Sequence, residues 1–283
     1  MLDILLDALL DTAKLLPFLF LTYLFLEFIE HKAAEKTAAL AAKAGRFGPA
    51  VGGLLGAVPQ CGFSASAAGL YAGGVISAGT LIAIFISASD EMLPIMISEQ
   101  VAAPRILTIL GIKAACGIAV GFLVDFIRRF YKKANQKEQI AHICEEENCH
   151  CEKGIFLSSL IHTAQIAFFI FVFSLLIGVA IHFIGEENLA AFAANAGILA
   201  PVMAGLVGLI PNCASSVVLT QLFLSDIIST GALLAGLIAN SGVGLLILFR
   251  VHKNWKSNLL IASAVYGSGI VIGILFDLIG IVI

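Results

Sequence analysis

Long apolar stretches alternate with short polar ones along this chain, and their lengths set the first prediction. Residues 4–29 are almost wholly apolar, enough for a helix across a bilayer, which takes about 20 residues. A polar, amphipathic piece follows from His31 to Arg46. Next come two short apolar pieces, Pro49–Val58 and Cys61–Gly73, interrupted at Pro59-Gln60. Each is about half a bilayer long at a helical rise of about 1.5 Å per residue. Two full-length candidates, Ala78–Ile97 and Pro104–Phe126, close this half. Proline cannot continue a helix from the preceding turn and brings no amide donor, so Pro59 marks a break. A break at membrane depth is tolerated only inside protein or around a water-filled cavity.

The same series then recurs. Residues 52–64 read GGLLGAVPQCGFS and residues 204–216 read AGLVGLIPNCASS, an offset of 152 (211 − 59). Pro49 matches Pro201, Cys61 matches Cys213, Ser64 matches Ser216 and Ser89 matches Ser241 in that register. Gly117, Gly121 and Asp125 match Gly269, Gly273 and Asp277. Apolar composition alone would align leucines and alanines; it would not align prolines, a cysteine and an aspartate. The chain therefore divides into a first membrane repeat (1–131), a polar linker (132–154) and a second repeat (155–283).

Composition agrees with the pattern. Hydrophobic residues make up 60% of the 283 and charged residues 12%, about half the charge of a soluble domain. With a single Trp against 20 Phe, the usual Trp belt at the membrane interface is weak. Asp3, Asp7 and Asp11 stand where a secretory signal needs positive charge, so the first stretch is expected to stay attached as a membrane helix.

Charge distribution sets the topology. Lys32, Lys36, Lys43 and Arg46 form one basic segment. Arg128, Arg129, Lys132, Lys133 and Lys137 form a second, and Arg250, Lys253 and Lys256 a third. The positive-inside rule places all three in the cytoplasm. They share a side only if Pro49–Gly73 goes in and returns as a hairpin. Each half then has an odd number of crossings and the second is inverted. The expected fold is all-α and integral to the membrane: two inverted-topology repeats, each with long transmembrane helices and a Pro-broken hairpin. The amino terminus lies outside and the linker in the cytoplasm.

Inverted repeats with broken helices place a transporter's site where the breaks meet. At the two tips stand Gln60, Cys61 and Ser64, and Asn212, Cys213 and Ser216, flanking Pro59 and Pro211. Two thiolates suit copper(I), zinc or trivalent arsenic; the bland reading is that a free Cys is a small hydrophobe, to which Cys116 is assigned. Asp90 and Glu91 interrupt an apolar stretch, and an intramembrane carboxylate marks function by default. Lys113 falls at a similar depth on the next helix, so the three are either a structural ion pair or a proton or cation coupling site. The second half has Asn240 and Ser241 instead. The linker carries His142, Cys144, Cys149, His150 and Cys151 among glutamates, a density that favours metal binding in a reducing compartment. Asp125 and Asp277 read as boundary or capping residues; Lys14, His162 and Gln165 are lesser candidates. No nucleotide-binding motif and no hydrolase triad context is found, so neither ATP drive nor an enzyme is expected.

The paired P-x-C tips, the S-A-S-D-E segment and the Cys/His-rich linker resemble the bacterial ArsP-like ten-transmembrane heavy-metal exporters, over almost the whole chain. That resemblance implies export of a metal or metalloid ion across the inner membrane. It points to Pro59, Cys61, Asp90, Glu91, Pro211, Cys213 and Asn240. The expected partners are the lipid bilayer and the ion, with no nucleic acid, and self-association is left open. No cofactor is called for beyond a metal ion at the linker. A small-anion carrier of the same architecture and a metal-responsive membrane sensor are the competing readings.

Overall fold

The protein is described by a computed structural model covering residues 47–57, 61–88, 92–131 and 199–280, with isolated positions between 6 and 24 and between 156 and 179. The described residues form helices and no strand. The first half contributes α1 (Gly48–Gly56), α2 (Cys61–Ala72), α3 (Ala78–Ser87), α4 (Met92–Ser98) and α5 (Ala103–Tyr131). The second contributes α6 (Ala200–Gly208), α7 (Cys213–Leu224), α8 (Thr230–Ala239), α9 (Val243–Val251) and α10 (Trp255–Ile279). Four of these five starts lie 152 residues after their counterparts, and that of α9 lies 151 after.

Local chemistry explains the matched boundaries. Pro49 and Pro201 stand in the first turns of α1 and α6, where a missing amide hydrogen costs nothing. Ser77 and Ser229 cap α3 and α8, each accepting a backbone N–H at 3.1 Å. After α2 and α7 the chain turns through Gly74 and Asp226, both at positive φ. The same carbonyl-closing bonds follow, Val75 N to Leu70 O and Ile227 N to Leu222 O, each at 2.9 Å, as at a left-handed helix C-cap.

Asp125 and Asp277 do cap, but not their own helices. Asp125, on α5, accepts from Ser77 Oγ at 2.6 Å and Gly79 N at 2.9 Å. Asp277, on α10, accepts from Ser229 Oγ and Gly231 N, both at 2.9 Å. Each carboxylate thus serves the amide-rich start of a neighbouring helix, which attracts negative charge. Backbone contact makes this reach possible. A Cβ on Gly79 would lie 2.2 Å from Gly121 O, and one on Gly231 2.1 Å from Gly273 O, the close small-residue packing of membrane helices.

Every residue of α3 and α8 is buried, as expected of helices that are apolar on all sides. α1 packs on α3 and α5, and α6 on α8 and α10. The long α5 and α10 turn Leu107, Leu123, Phe126, Leu260, Val271 and Leu278 outward. Contacts between the halves are reciprocal: α2 packs on α9 and α7 on α4, α3 on α10 and α8 on α5, and α3 on α8.

Ala78–Ile97, expected as one full-length helix, is instead two, α3 and α4, and its counterpart breaks likewise between α8 and α9. The second half supplies the physical reason. Asn240 Oδ1 accepts from Gly242 N at 2.9 Å, a side-chain bond that competes with the helix ladder. Gly242 has φ 53° and ψ −145°, a conformation suited to glycine. Among the described residues three segments are long and apolar enough to cross a membrane: Ala103–Arg129, Trp255–Ile279, and Thr230–Val251, which contains this break.

Candidate functional site

A helix interrupted at depth leaves carbonyls at its end without their usual amide donors. Two such ends, one from each half, converge on one side chain. Lys113, on α5, donates through Nζ to Ala88 O at the end of α3 and to Leu237 O, 3.0 Å away, near the end of α8. Lys113 is 1% exposed. Its ammonium therefore sits where the negative ends of two helix dipoles meet, the position those ends favour for a cation. Val265 is the counterpart of Lys113 in α10, so among the described residues a single lysine bonds the helix ends of both halves. Ser87 Oγ, buried beside Gly117, makes no hydrogen bond among the described residues.

The predicted polar residues of the second break, Asn240 and Ser241, are buried at this junction, 4% and 3% exposed. Ser64 on α2 and Ser216 on α7 are buried as well. Ser64 lies against the first turn of α9, where a Cβ on Gly244 would stand 2.8 Å from Ser64 Cβ. Ser216 O accepts from Thr220 Oγ1 at 2.7 Å. Pro211 falls in the bend between α6 and α7. There the Asn212 backbone N–H donates to Ile210 O at 2.7 Å and its backbone carbonyl accepts from Ser215 Oγ at 2.8 Å.

Cys61 and Cys213 are the first residues of α2 and α7; their side chains lie outside the description. So do Pro59, Gln60, Asp90, Glu91, His142, Cys144, Cys149, His150 and Cys151, and with them the expected Asp90 or Glu91 contact to Lys113. Among the described residues no group of three or more His, Cys, Asp or Glu side chains could hold a metal ion. Cys116 packs, half-buried, against the core, as assigned. The carbonyls of Ala88 and Leu237 carried no sequence signal, because every residue has one. Only the helix break makes them available.

The ArsP_2 family model, described as "Putative, 10TM heavy-metal exporter", matches residues 1–186 and 145–271. The chain belongs to this family. As an ArsP_2 protein it is an integral membrane protein of a metal-exporter class, in keeping with the three long apolar segments among the described residues. Comparison with curated proteins and with solved structures gives no match.

Proposed function

We propose that this ArsP_2 protein is a secondary-active exporter of a metal or metalloid ion that works by alternating access. Its site lies where the helix breaks of two inverted repeats meet. The observation that carries this reading is buried Lys113, bonded to carbonyls at broken helix ends from both halves. In inverted-repeat transporters, unwound carbonyls and half-helix ends near the bilayer midplane are where substrate and coupling ions bind. Inversion is supported by the meeting of counterpart helices end to start: Arg128, near the end of α5, donates to Ser257, near the start of α10, at 3.3 Å.

Within this reading Lys113, with Asp90 and Glu91, forms the coupling site. Gln60, Cys61, Ser64, Asn212, Cys213, Ser216, Asn240 and Ser241 line the substrate path. The repeat-matched thiols favour a soft, arsenite-like ion, and the carboxylates a harder divalent one. His142, Cys144, Cys149, His150 and Cys151 form a cytoplasmic metal-binding segment that raises the local ion concentration. A small-anion carrier is the second reading, favoured by the fixed cation Lys113 at the junction.

Uptake of arsenite and of manganese into everted vesicles tests these assignments. The wild type is expected to accumulate arsenite, and Cys61→Ala/Cys213→Ala and Lys113→Met to lose that accumulation. Manganese accumulation indifferent to the cysteines would move the site to Asp90 and Glu91. If neither ion accumulates, the metal reading fails and anion uptake becomes the assay.

A further inference from the structure

Two contacts between the halves occupy repeat-related positions but use different chemistry. Tyr71, near the end of α2, and Ser257, in the first turn of α10, share a hydrogen bond of 3.1 Å between their hydroxyls. Arg128 donates to both oxygens at 3.3 Å, closing a triangle across the halves. At the counterpart positions, 152 residues on from Tyr71 and 152 back from Ser257, stand Phe223 and Arg105. These meet as well: the Arg105 guanidinium carbon lies 4.9 Å from the centroid of the Phe223 ring. Phe223 is buried, and so is Arg105 Nε, which has no hydrogen bond among the described residues. The ring face is thus a main partner for that charge.

The two contacts lie at opposite ends of the molecule. Arg105 and Arg128 sit on one helix, 23 residues apart (128 − 105), or about 35 Å at the helical rise. That exceeds the hydrocarbon core of about 30 Å. Lys113 lies between them, 8 residues from Arg105 and 15 from Arg128. The Tyr71 end carries Arg129, Arg250, Lys253 and Lys256 nearby in the chain, the sign of the cytoplasmic side.

We infer that the Tyr71–Arg128–Ser257 triangle and the Arg105–Phe223 pair are opposing gates on either side of the Lys113 junction. The inference rests on the alternating-access reading. Each gate joins one half to the other through contacts that are individually weak, so either can part while the other holds. Residue types differ because the halves diverged: a hydroxyl and a neighbouring arginine close the cytoplasmic gate, a cation on an aromatic face the outer one.

The test is a pair of distances in the full-length protein in lipid nanodiscs, read by pulsed electron resonance. Spin labels are attached through an unnatural keto side chain, which leaves the native cysteines intact. One pair sits at Glu99 and Asp226, beside the Arg105 gate, and the other at Arg129 and Lys253, beside the Tyr71 gate; all four positions are exposed. Phe223→Leu or Arg105→Gln is expected to add a longer population to the first pair and leave the second unchanged. Tyr71→Phe or Ser257→Ala is expected to do the reverse. Two mild variants per gate guard against loss of folding in one. If both distances move together, or neither moves in any variant, the contacts are packing and the inference is overturned. Wild-type vesicles that take up neither metal nor anion while the distances still move independently would sink the transport reading alone.

Discussion

At the scale of single residues, the paired aspartates are the clearest structural devices. Asp125 satisfies two part-buried donors at the start of α3, and Asp277 does the same for α8, where Asp277 and Ser229 are exposed. Hydrogen bonds to a charged group contribute about 1.5–3 kcal/mol each, and the unpaired donors left behind are costly. Asp125→Ala is therefore expected to lower stability in detergent by about 2 kcal/mol or more, and Asp277→Ala by less, because water can replace the partner lost at the exposed Ser229. The two sites share no partner, so the double variant is expected to show the sum. Thermal unfolding in one detergent checks this, and a double variant no worse than either single would contradict it. The aspartate pairing was legible as a repeat match; the helix each one serves was not.

At the scale of elements, the break between α8 and α9 rests on a two-residue device. Asn240 bonds back to the amide of Gly242, and Gly242 adopts a backbone conformation suited to glycine. Gly242→Ala is expected to cost about 1–3 kcal/mol through backbone strain. Gly111 and Gly267 provide the control, since an added Cβ at either meets nothing within 4 Å. Both lie inside long helices, where Ala is expected to be neutral or to stabilise by up to about 1 kcal/mol. Melting temperatures of the three variants decide the matter; equal losses at Gly111 and Gly242 would remove the special role of the break. This break was half legible. Asn240 and Ser241 stood out as polar, but their apolar flanks read as one continuous helix.

At the scale of the whole molecule, the reciprocal packing of α2 on α9 and α7 on α4 makes each half incomplete without the other. α5 has 29 residues, about 43 Å of helix, long enough to cross the bilayer and to extend beyond it or tilt. The proposed topology puts its Arg128 end and the exposed Lys253 and Lys256 in the cytoplasm. A membrane-impermeant amine reagent is therefore expected to label Lys253 and Lys256 in everted vesicles and not in intact spheroplasts. Labelling from the outside would reverse the assignment and exchange the inner and outer gates.

Membrane class, duplication and the Pro211 interruption were determined by the sequence alone, because they depend on local or covalent properties. Hydropathy per residue, a missing proline amide and a fixed 152-residue register need no folding to be read. The tertiary structure decided the rest. Lys113 finds a carbonyl 124 positions away in the chain, and Tyr71 a hydroxyl 186 away. The acceptors around Lys113 are main-chain atoms that every residue carries, and only helix breaks brought together in the core set them apart. Arg105 and Phe223 stood in the sequence as a cation at the start of the Pro104–Phe126 candidate and one phenylalanine among 20. Packing of α7 beside the start of α5 turned them into a contact, since a cation–ring pairing depends on direction and distance that sequence spacing does not hold.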